Sequence, residues 1–473
     1  MMISRLCNSA IARTTVNSLF AHVAVLLLGF ILFLQPAHAC SEKSLDAIFS
    51  PERSTQRLLD IEAAMARAQA KHGVIPKSAA DEITRKARAD LVPQSELRAE
   101  RDIVRHRMVA LLNIWRKSLN EEGDRYVHFG ATTVDIYDTA TMLQIDQILA
   151  ELNICLTETI GTMAVMALEH RDTVMIGRTI GQHAQPISFG KKVSVWIGEF
   201  HRHQDRLGEI RQRVRRSAIL KGAVGNYSGL GNKAIAVEKS FAAELGFDEP
   251  YLSDWHGTRD VIAEYALFLG LMSKSHARMG QEIFLLQSTD IAEVRESLPA
   301  SAVGSSSMPH KQNPIAPEAL VQSGRVIPRL AEILQDDVIN LFERDNISRQ
   351  SPVITEISIA TGSMMRTLNK LLEGLSVNAT NMRSNIDRTN GFVMSQKIVF
   401  ALAAHVGKTK AEAIVKDIIY HHRTGSRSFA EALRADHRIA DILSRSQIEQ
   451  LLDPAKIDLE SQRQIERIAA GAE

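Results

Sequence analysis

Leu58, Leu59, Ile61, Ala64, Met65 and Ala68 recur at three- and four-residue steps, so the chain reads as amphipathic helix from about Ser41. Gly73-Val74-Ile75-Pro76 breaks that pattern. Two further short helices are expected around 78–92 and 95–119, closing a first domain over 40–133. A long helix then opens near 128–135 and runs on to about Glu169. Gly181 and Pro186 interrupt the period and mark a turn over 177–190, and Lys191 restarts a helix. Long helices are expected over 191–216 and 259–296, the second about 55 Å long at 1.5 Å per residue. Its apolar positions Ile262, Tyr265, Leu269, Met272, Met279, Ile283 and Leu286 read as bundle core. Another helix covers about 317–341, kinked near Pro328, and short helices fill the tail from Ser384. The pattern predicts an all-α protein with a helical domain 40–133, a central bundle 134–383 and a small helical domain 384–473. There is no internal repeat.

Composition narrows the class further. Aromatics make up only 5% of 473 residues, which favours helices over sheets. Lys and Arg total 56 against 55 Asp and Glu, so a net charge of +1 gives no reason to expect nucleic acid or an anionic membrane as partner. The three cysteines, Cys7, Cys40 and Cys155, are scattered and suggest neither a disulfide framework nor a zinc site. Arg5 and Arg13 precede an apolar run of 12 residues, Val23 to Leu34, followed by Ala37-His38-Ala39. That order reads as a secretory leader cleaved after Ala39, with Cys40 as the first mature residue. The run is short for a bilayer span, which needs about 20 residues, so no membrane span is expected after processing. The expected location is periplasmic or secreted, and cytoplasmic if the leader is not a true signal.

Four stretches carry candidate chemistry. Gly304 to Pro314 reads Gly-Ser-Ser-Ser-Met-Pro-His-Lys-Gln-Asn-Pro. Gly304, Pro309 and Pro314 resist helix, and a loop with three hydroxyls, a lysine and an asparagine suits anion capture. His128, Gly130, Thr132, Thr133 and Asp135 stand at a helix mouth, where unpaired amides and partial positive charge favour a carboxylate. They also fit an ordinary Thr/Asp N-cap. The third stretch is Gly177-Arg178-Thr179-Ile180-Gly181-Gln182-His183-Ala184-Gln185-Pro186, and the fourth is Trp255-His256 through Glu264.

Together these strings resemble the signatures of the fumarase/aspartase superfamily, over residues 41–473. The 304–314 loop matches Gly-Ser-Ser-x-Met-Pro-x-Lys-x-Asn at every fixed position. The second stretch resembles His-x-Gly-x-Thr-Ser-x-Asp, with Thr133 in place of Ser. The third resembles Gly-Arg-Thr-His-x-Gln-x-Ala-x-Pro, with Ile180 where other branches place a proton-carrying His. Trp255-His256 with Arg259-Asp260 and Ala263-Glu264 resembles the 3-carboxy-cis,cis-muconate cycloisomerases. Glu343-Arg344-Asp345 looks more like adenylosuccinate lyase, yet Ser351-Pro352 occupies the region of that enzyme's phosphate-binding arginine, and Arg349 is the local substitute.

The resemblance implies a lyase or cycloisomerase acting across the Cα–Cβ bond of a succinyl-type polycarboxylate through an aci-carboxylate intermediate. It implies Ser305 as base, His128 and His183 as further catalytic groups, and His256 as another proton-donor candidate. Thr132, Thr133, Asp135, Arg178, Gln182, Ser306, Met308, Lys311, Asn313 and Arg344 would hold the substrate. It implies a homotetramer with a twenty-helix core, sites shared between subunits, and neither metal nor organic cofactor. The expected activity is cycloisomerase-like. Adenylosuccinate lyase is the alternative, and a crystallin-like scaffold without turnover is a third reading.

Overall fold

The computed structural model describes residues 40, 42–299, 301–339, 341–345, 352–422, 424–425, 427–456 and 459–471. The leader-like segment 1–39 and Arg349 lie outside them.

The first helices are α1, Glu42–Ile48, and α2, Pro51–Lys71. Ser50 caps α2 by accepting the Arg53 amide at 3.3 Å, and Pro51 costs nothing at N1 because its missing N–H would be unpaired there. Next come α3, Lys77–Lys86, α4, Gln94–Val104, α5, Arg107–Arg116, and α6, Glu121–Tyr126. The single helix expected over 95–119 is thus two. Arg105 enters the left-handed region at φ 54°, and His106 caps the new helix through Nδ1, which accepts the Val109 amide at 3.3 Å.

Helix α7, Thr133–Glu169, runs as expected. Apolar residues cover much of its circumference, among them Ile136, Met142, Ile145, Leu149, Leu152, Leu156 and Met163, all buried in the main core. It is long and apolar enough to cross a membrane, but here it is packed as the core helix of a bundle.

The turn expected after it is a β-hairpin. Strand β1, Val174–Thr179, pairs antiparallel with β2, Gln182–Ser188. The two linking residues, Ile180 and Gly181, have φ of 53° and 72°. Both central residues at positive φ suit the twist of a two-residue hairpin. The apolar period masked this, because the hairpin stands at the bundle's end.

Helix α8, Phe189–Val214, returns along α7. A helix missed from the sequence, α9, Ala234–Glu244, packs on α2. Helix α10, Asp260–Gln287, stops nine residues before the expected Glu296, because Ser288 turns the chain toward the short strand β3, Val294–Arg295. Its partner is α11, Ile315–Asp336, which contains Pro328. A side chain at Gly324 would collide with Ala277, so glycine lets these two helices approach closely. Helix α12, Val353–Glu373, completes the bundle, and β4, Ser376–Val377, pairs with β3.

Beyond α13, Ala379–Asp387, residues Ile398, Leu402, Ile414, Val415, Phe429, Leu433 and Ile448 form a separate small core. The last helix, α14, Leu459–Ala469, leaves that core. Ile465 joins the main one, and Lys191 Nζ donates to Gln464 Oε1 at 2.7 Å.

One long-range link departs from the sequence reading. Cys40 and Cys155 form a disulfide across 115 residues. Scattered spacing concealed it, since α1 and α7 meet only in the folded bundle.

Candidate active site

The mouth of α7 is built from below. Asp135 Oδ2 accepts the Thr132 amide at 2.9 Å, which closes the first turn. Its Oδ1 accepts the Lys221 amide at 3.0 Å, and His256 Nε2 lies 3.2 Å away. His256 Nδ1 pairs with Asp138 at 2.7 Å, and Arg259 Nη1 donates to Asp138 at 3.1 Å. All four side chains are buried. Burial opposes charge on His256, but the two carboxylates outweigh it and raise its pKa. Asp135 is bonded to amides and imidazole within the subunit and braces the site from beneath it. His256, 1% exposed, braces it too.

Above the brace, His128 sits at φ 61° and its Nδ1 pairs with Glu62 Oε1 of α2 at 2.6 Å. Burial alone would depress this imidazole's pKa, yet the Glu62 bond and charge raise it overall. A carboxylate on one ring nitrogen fixes the ring and directs the other nitrogen elsewhere. Thr132 and Thr133 are half-buried beside it. Arg344, delivered by the chain after α11, approaches Thr132 Oγ1 at 3.5 Å. Its Nη1 is buried without a partner among the described residues.

The remaining candidates lie elsewhere. Arg178 of β1 makes two parallel bonds to Glu293, 2.9 and 2.7 Å, and Asn385 donates to the same carboxylate at 2.8 Å. Glu293 is fully buried, so this pair anchors the hairpin root. His183 of β2 faces Arg178 in the ladder. Partial burial and then the Arg178 charge lower its pKa, keeping it neutral. Gln182 is exposed, and Ile180 at the tip is fully exposed at 101%.

The 304–314 stretch is the expected loop. A side chain at Gly304 would run into the Lys311 carbonyl, so the loop folds back across that glycine. Ser305 is half-buried, and its Oγ accepts the amides of Met308 at 3.2 Å and Ser307 at 3.5 Å. Two amides aimed at one hydroxyl oxygen favour its anion. Ser306, Met308 and Lys311 are exposed, and Asn313 is half-buried.

These groups occupy two ends of one bundle. Helices α7 and α10 run parallel. Asp138 and Arg259 join their N-terminal ends, and just beyond their C-terminal ends Arg178 meets Glu293. The 28 residues of α10 span about 42 Å. His128, Thr132, Thr133 and Arg344 therefore lie at one end. Arg178, Gln182, His183 and the Ser305 loop lie at the other. Sequence reasoning missed Glu62 and Glu293, whose only signal is a carboxylate on an otherwise apolar helix face or loop. Among the described residues no group of three His, Cys, Asp or Glu is placed to hold a metal.

Comparison with known proteins then bears on these residues. The family described as "Lyase" matches residues 39–328, and "Adenylosuccinate lyase C-terminus" matches 391–468. The chain is 33% identical to the N-acetyl-S-(2-succino)cysteine lyase of Enterococcus italicus over 421 residues, 88% of this chain and 91% of that one. It is 32% identical to the adenylosuccinate lyase of Methanocaldococcus jannaschii over 411 residues, 86% of this chain and 89% of that one. The crystal structure of 3-carboxy-cis,cis-muconate lactonizing enzyme from Pseudomonas putida superposes with a TM-score of 0.80 at 30% identity. It covers 90% of this chain and 96% of its own.

Proposed function

The chain belongs to the fumarase/aspartase superfamily of lyases, and from that premise we propose that its substrate is a succinyl-type polycarboxylate whose leaving group departs as a stable anion. The carrying observation is Ile180. It occupies the hairpin tip where a proton-carrying side chain would stand, and it is exposed with nothing titratable on it.

The chemistry follows from the residues. Ser305, ionised with help from the Met308 and Ser307 amides, takes the proton from carbon beside a carboxylate. The electron pair passes into that carboxylate, and the resulting dianion needs fixed donors in a site closed to water. Lys311, Asn313, Thr132, Thr133 and Arg344 supply donors of that kind. Collapse of the intermediate expels the group on the neighbouring carbon. A purine amine must gain a proton as it leaves, and a positioned histidine is worth about 10²–10⁴ in rate for such a step. A carboxylate, with a pKa near 4, or a thiolate, near 8.5, leaves without one.

The first reading is cycloisomerase-like, with a carboxylate adding to or leaving a 3-carboxymuconate skeleton. A second is elimination of a thiolate from an S-succinyl thioether, favoured by the same residue and by the Enterococcus italicus relative. Adenylosuccinate is disfavoured. Pro352 stands where a phosphate-binding arginine would help, and Ile180→His alone would not create that activity.

His128 and Ser305 lie too far apart in one subunit to reach one succinyl unit. This supports a homotetramer in which each site borrows from neighbouring copies. Steady-state kinetics on 3-carboxymuconate, an S-succinyl cysteine and adenylosuccinate with one preparation tests the reading. A kcat/KM of about 10⁴ M⁻¹s⁻¹ or more for adenylosuccinate would overturn it. No turnover of any succinyl substrate would favour the scaffold reading.

A further inference from the structure

Cys40 is the residue after Ala37-His38-Ala39, and its sulfur is bonded to Cys155 on α7. One turn along the same face, Glu158 receives the Cys40 backbone nitrogen on both carboxylate oxygens, at 3.2 and 3.1 Å. Among the described residues, the carboxylate's other side-chain partner is neutral, the Asn369 amide at 3.3 Å. An amide nitrogen carries one hydrogen and no charge, which is a poor match for two carboxylate oxygens. An α-ammonium carries three hydrogens and a positive charge, and it fits both. The cysteine count agrees. Of the three cysteines, Cys7 lies before Ala39, so a chain starting at Cys40 holds two, and those two are bonded to each other.

We infer that Cys40 is the amino terminus of the mature, exported protein. It is clasped to α7 twice, by the Cys40–Cys155 disulfide and by an ion pair between its α-ammonium and Glu158. Two covalent steps make the clasp. A signal endopeptidase adds water across the Ala39–Cys40 peptide bond, leaving a carboxylate on Ala39 and an amine on Cys40 that takes up a proton. The two thiols then lose two protons and two electrons by exchange with an oxidised protein disulfide carrier, which is reduced to its dithiol. Such carriers act outside the reducing cytoplasm, where a leader with Arg5, Arg13 and the Val23–Leu34 run delivers the chain. A sulfur held in a disulfide is closed to acylation, so Cys40 carries no lipid. The inference is independent of the substrate reading.

The test uses the full chain with its leader, produced in a secreting bacterial host. Intact mass is measured with a thiol-alkylating reagent before and after reduction. The expected product starts at Cys40, takes no alkyl group before reduction and two after it. Retained upstream residues, another start, an acyl adduct or thiols alkylated without reduction would each overturn the inference. Glu158→Gln tests the ion pair. Freed of its partner, the α-amine should react about threefold faster with an amine-acylating reagent at neutral pH, as expected for a partly exposed pair. Glu158→Asp, which keeps the charge, should react at the wild-type rate. Equal rates in Glu158→Gln and wild type would remove the ion pair from the inference, and a Glu158→Asp rate as fast as that of Glu158→Gln would do the same.

Discussion

The two ends of the bundle are made in opposite ways. At the N-terminal end of α7, the candidate side chains rest on a buried lattice. Asp135, Asp138, His256 and Arg259 satisfy one another, and Glu62 holds His128. At the other end, the hairpin root is tied by Arg178 and Glu293, but the parts beyond it stand in solvent. Ile180, Gln182, Ser306, Met308 and Lys311 are all exposed. A site that must hold a dianion away from water needs both kinds of construction. The fixed end sets the geometry without reorganisation, while the exposed end admits substrate and excludes water only when covered. The two ends stand about 42 Å apart along α10, which is the distance the proposed homotetramer would bridge with a neighbouring copy.

The sharpest way to break this comparison is to disable one end at a time. Ser305→Ala is expected to lower kcat by about 10²–10⁴ while circular dichroism and assembly stay unchanged. A variant keeping more than about a tenth of the rate would move the base to Ser306 or Ser307. Co-assembly of Ser305→Ala with His128→Ala should then restore activity at about a quarter of the sites, since random mixing leaves that share with both groups intact. Hybrids as inactive as their parents would place the two residues in the same chain's site.

Next in size is the buried brace. Asp138→Ala takes the carboxylate away from buried Arg259 and leaves His256 with Asp135 alone. Loss of one partner from such a network costs about 3–5 kcal/mol, readable as a lower denaturation midpoint. An equal loss from a change at exposed Lys311 would erase the distinction between the ends.

A smaller effect is expected from Glu62→Gln. Glu62 raises the His128 pKa against the pull of burial. Because the folded value exceeds the unfolded one, the pair's stabilisation is complete below the unfolded histidine pKa and fades as pH rises through the folded value. In Glu62→Gln this pH dependence should flatten. If His128 carries a proton in turnover, the alkaline limb of kcat/KM should move down as well. An unmoved limb would confine His128 to positioning.

The smallest effect concerns Ile180. A β-branched residue at φ 53° is strained, and asparagine tolerates that region. Ile180→Asn should stabilise an isolated subunit by a few tenths to about 1 kcal/mol. If a neighbouring copy covers the tip, the gain should shrink or reverse in the assembled protein, which a comparison of dilute and concentrated samples would register.

What the sequence determined by itself is what local physics encodes. The three- and four-residue period placed α7, α8 and α11 within about five residues, but ran α1 and α2 together as one helix from about Ser41. Gly304, Pro309 and Pro314 marked the loop, since each resists helix wherever it stands. Full signature strings identified the lyase family. Helix ends were less legible. Arg105 and Ser288 stop helices through left-handed or extended backbone that no breaker residue announces. The tertiary structure alone decided the pairings. Glu62 with His128, Glu293 with Arg178, Asp138 with Arg259 and Cys40 with Cys155 join residues 66 to 121 positions apart. A carboxylate or thiol looks the same in sequence whether it meets solvent or a buried cation. Only the packing of one helix on another fixes which group lies within bonding distance, and so which candidate is paired in the interior and which is left accessible.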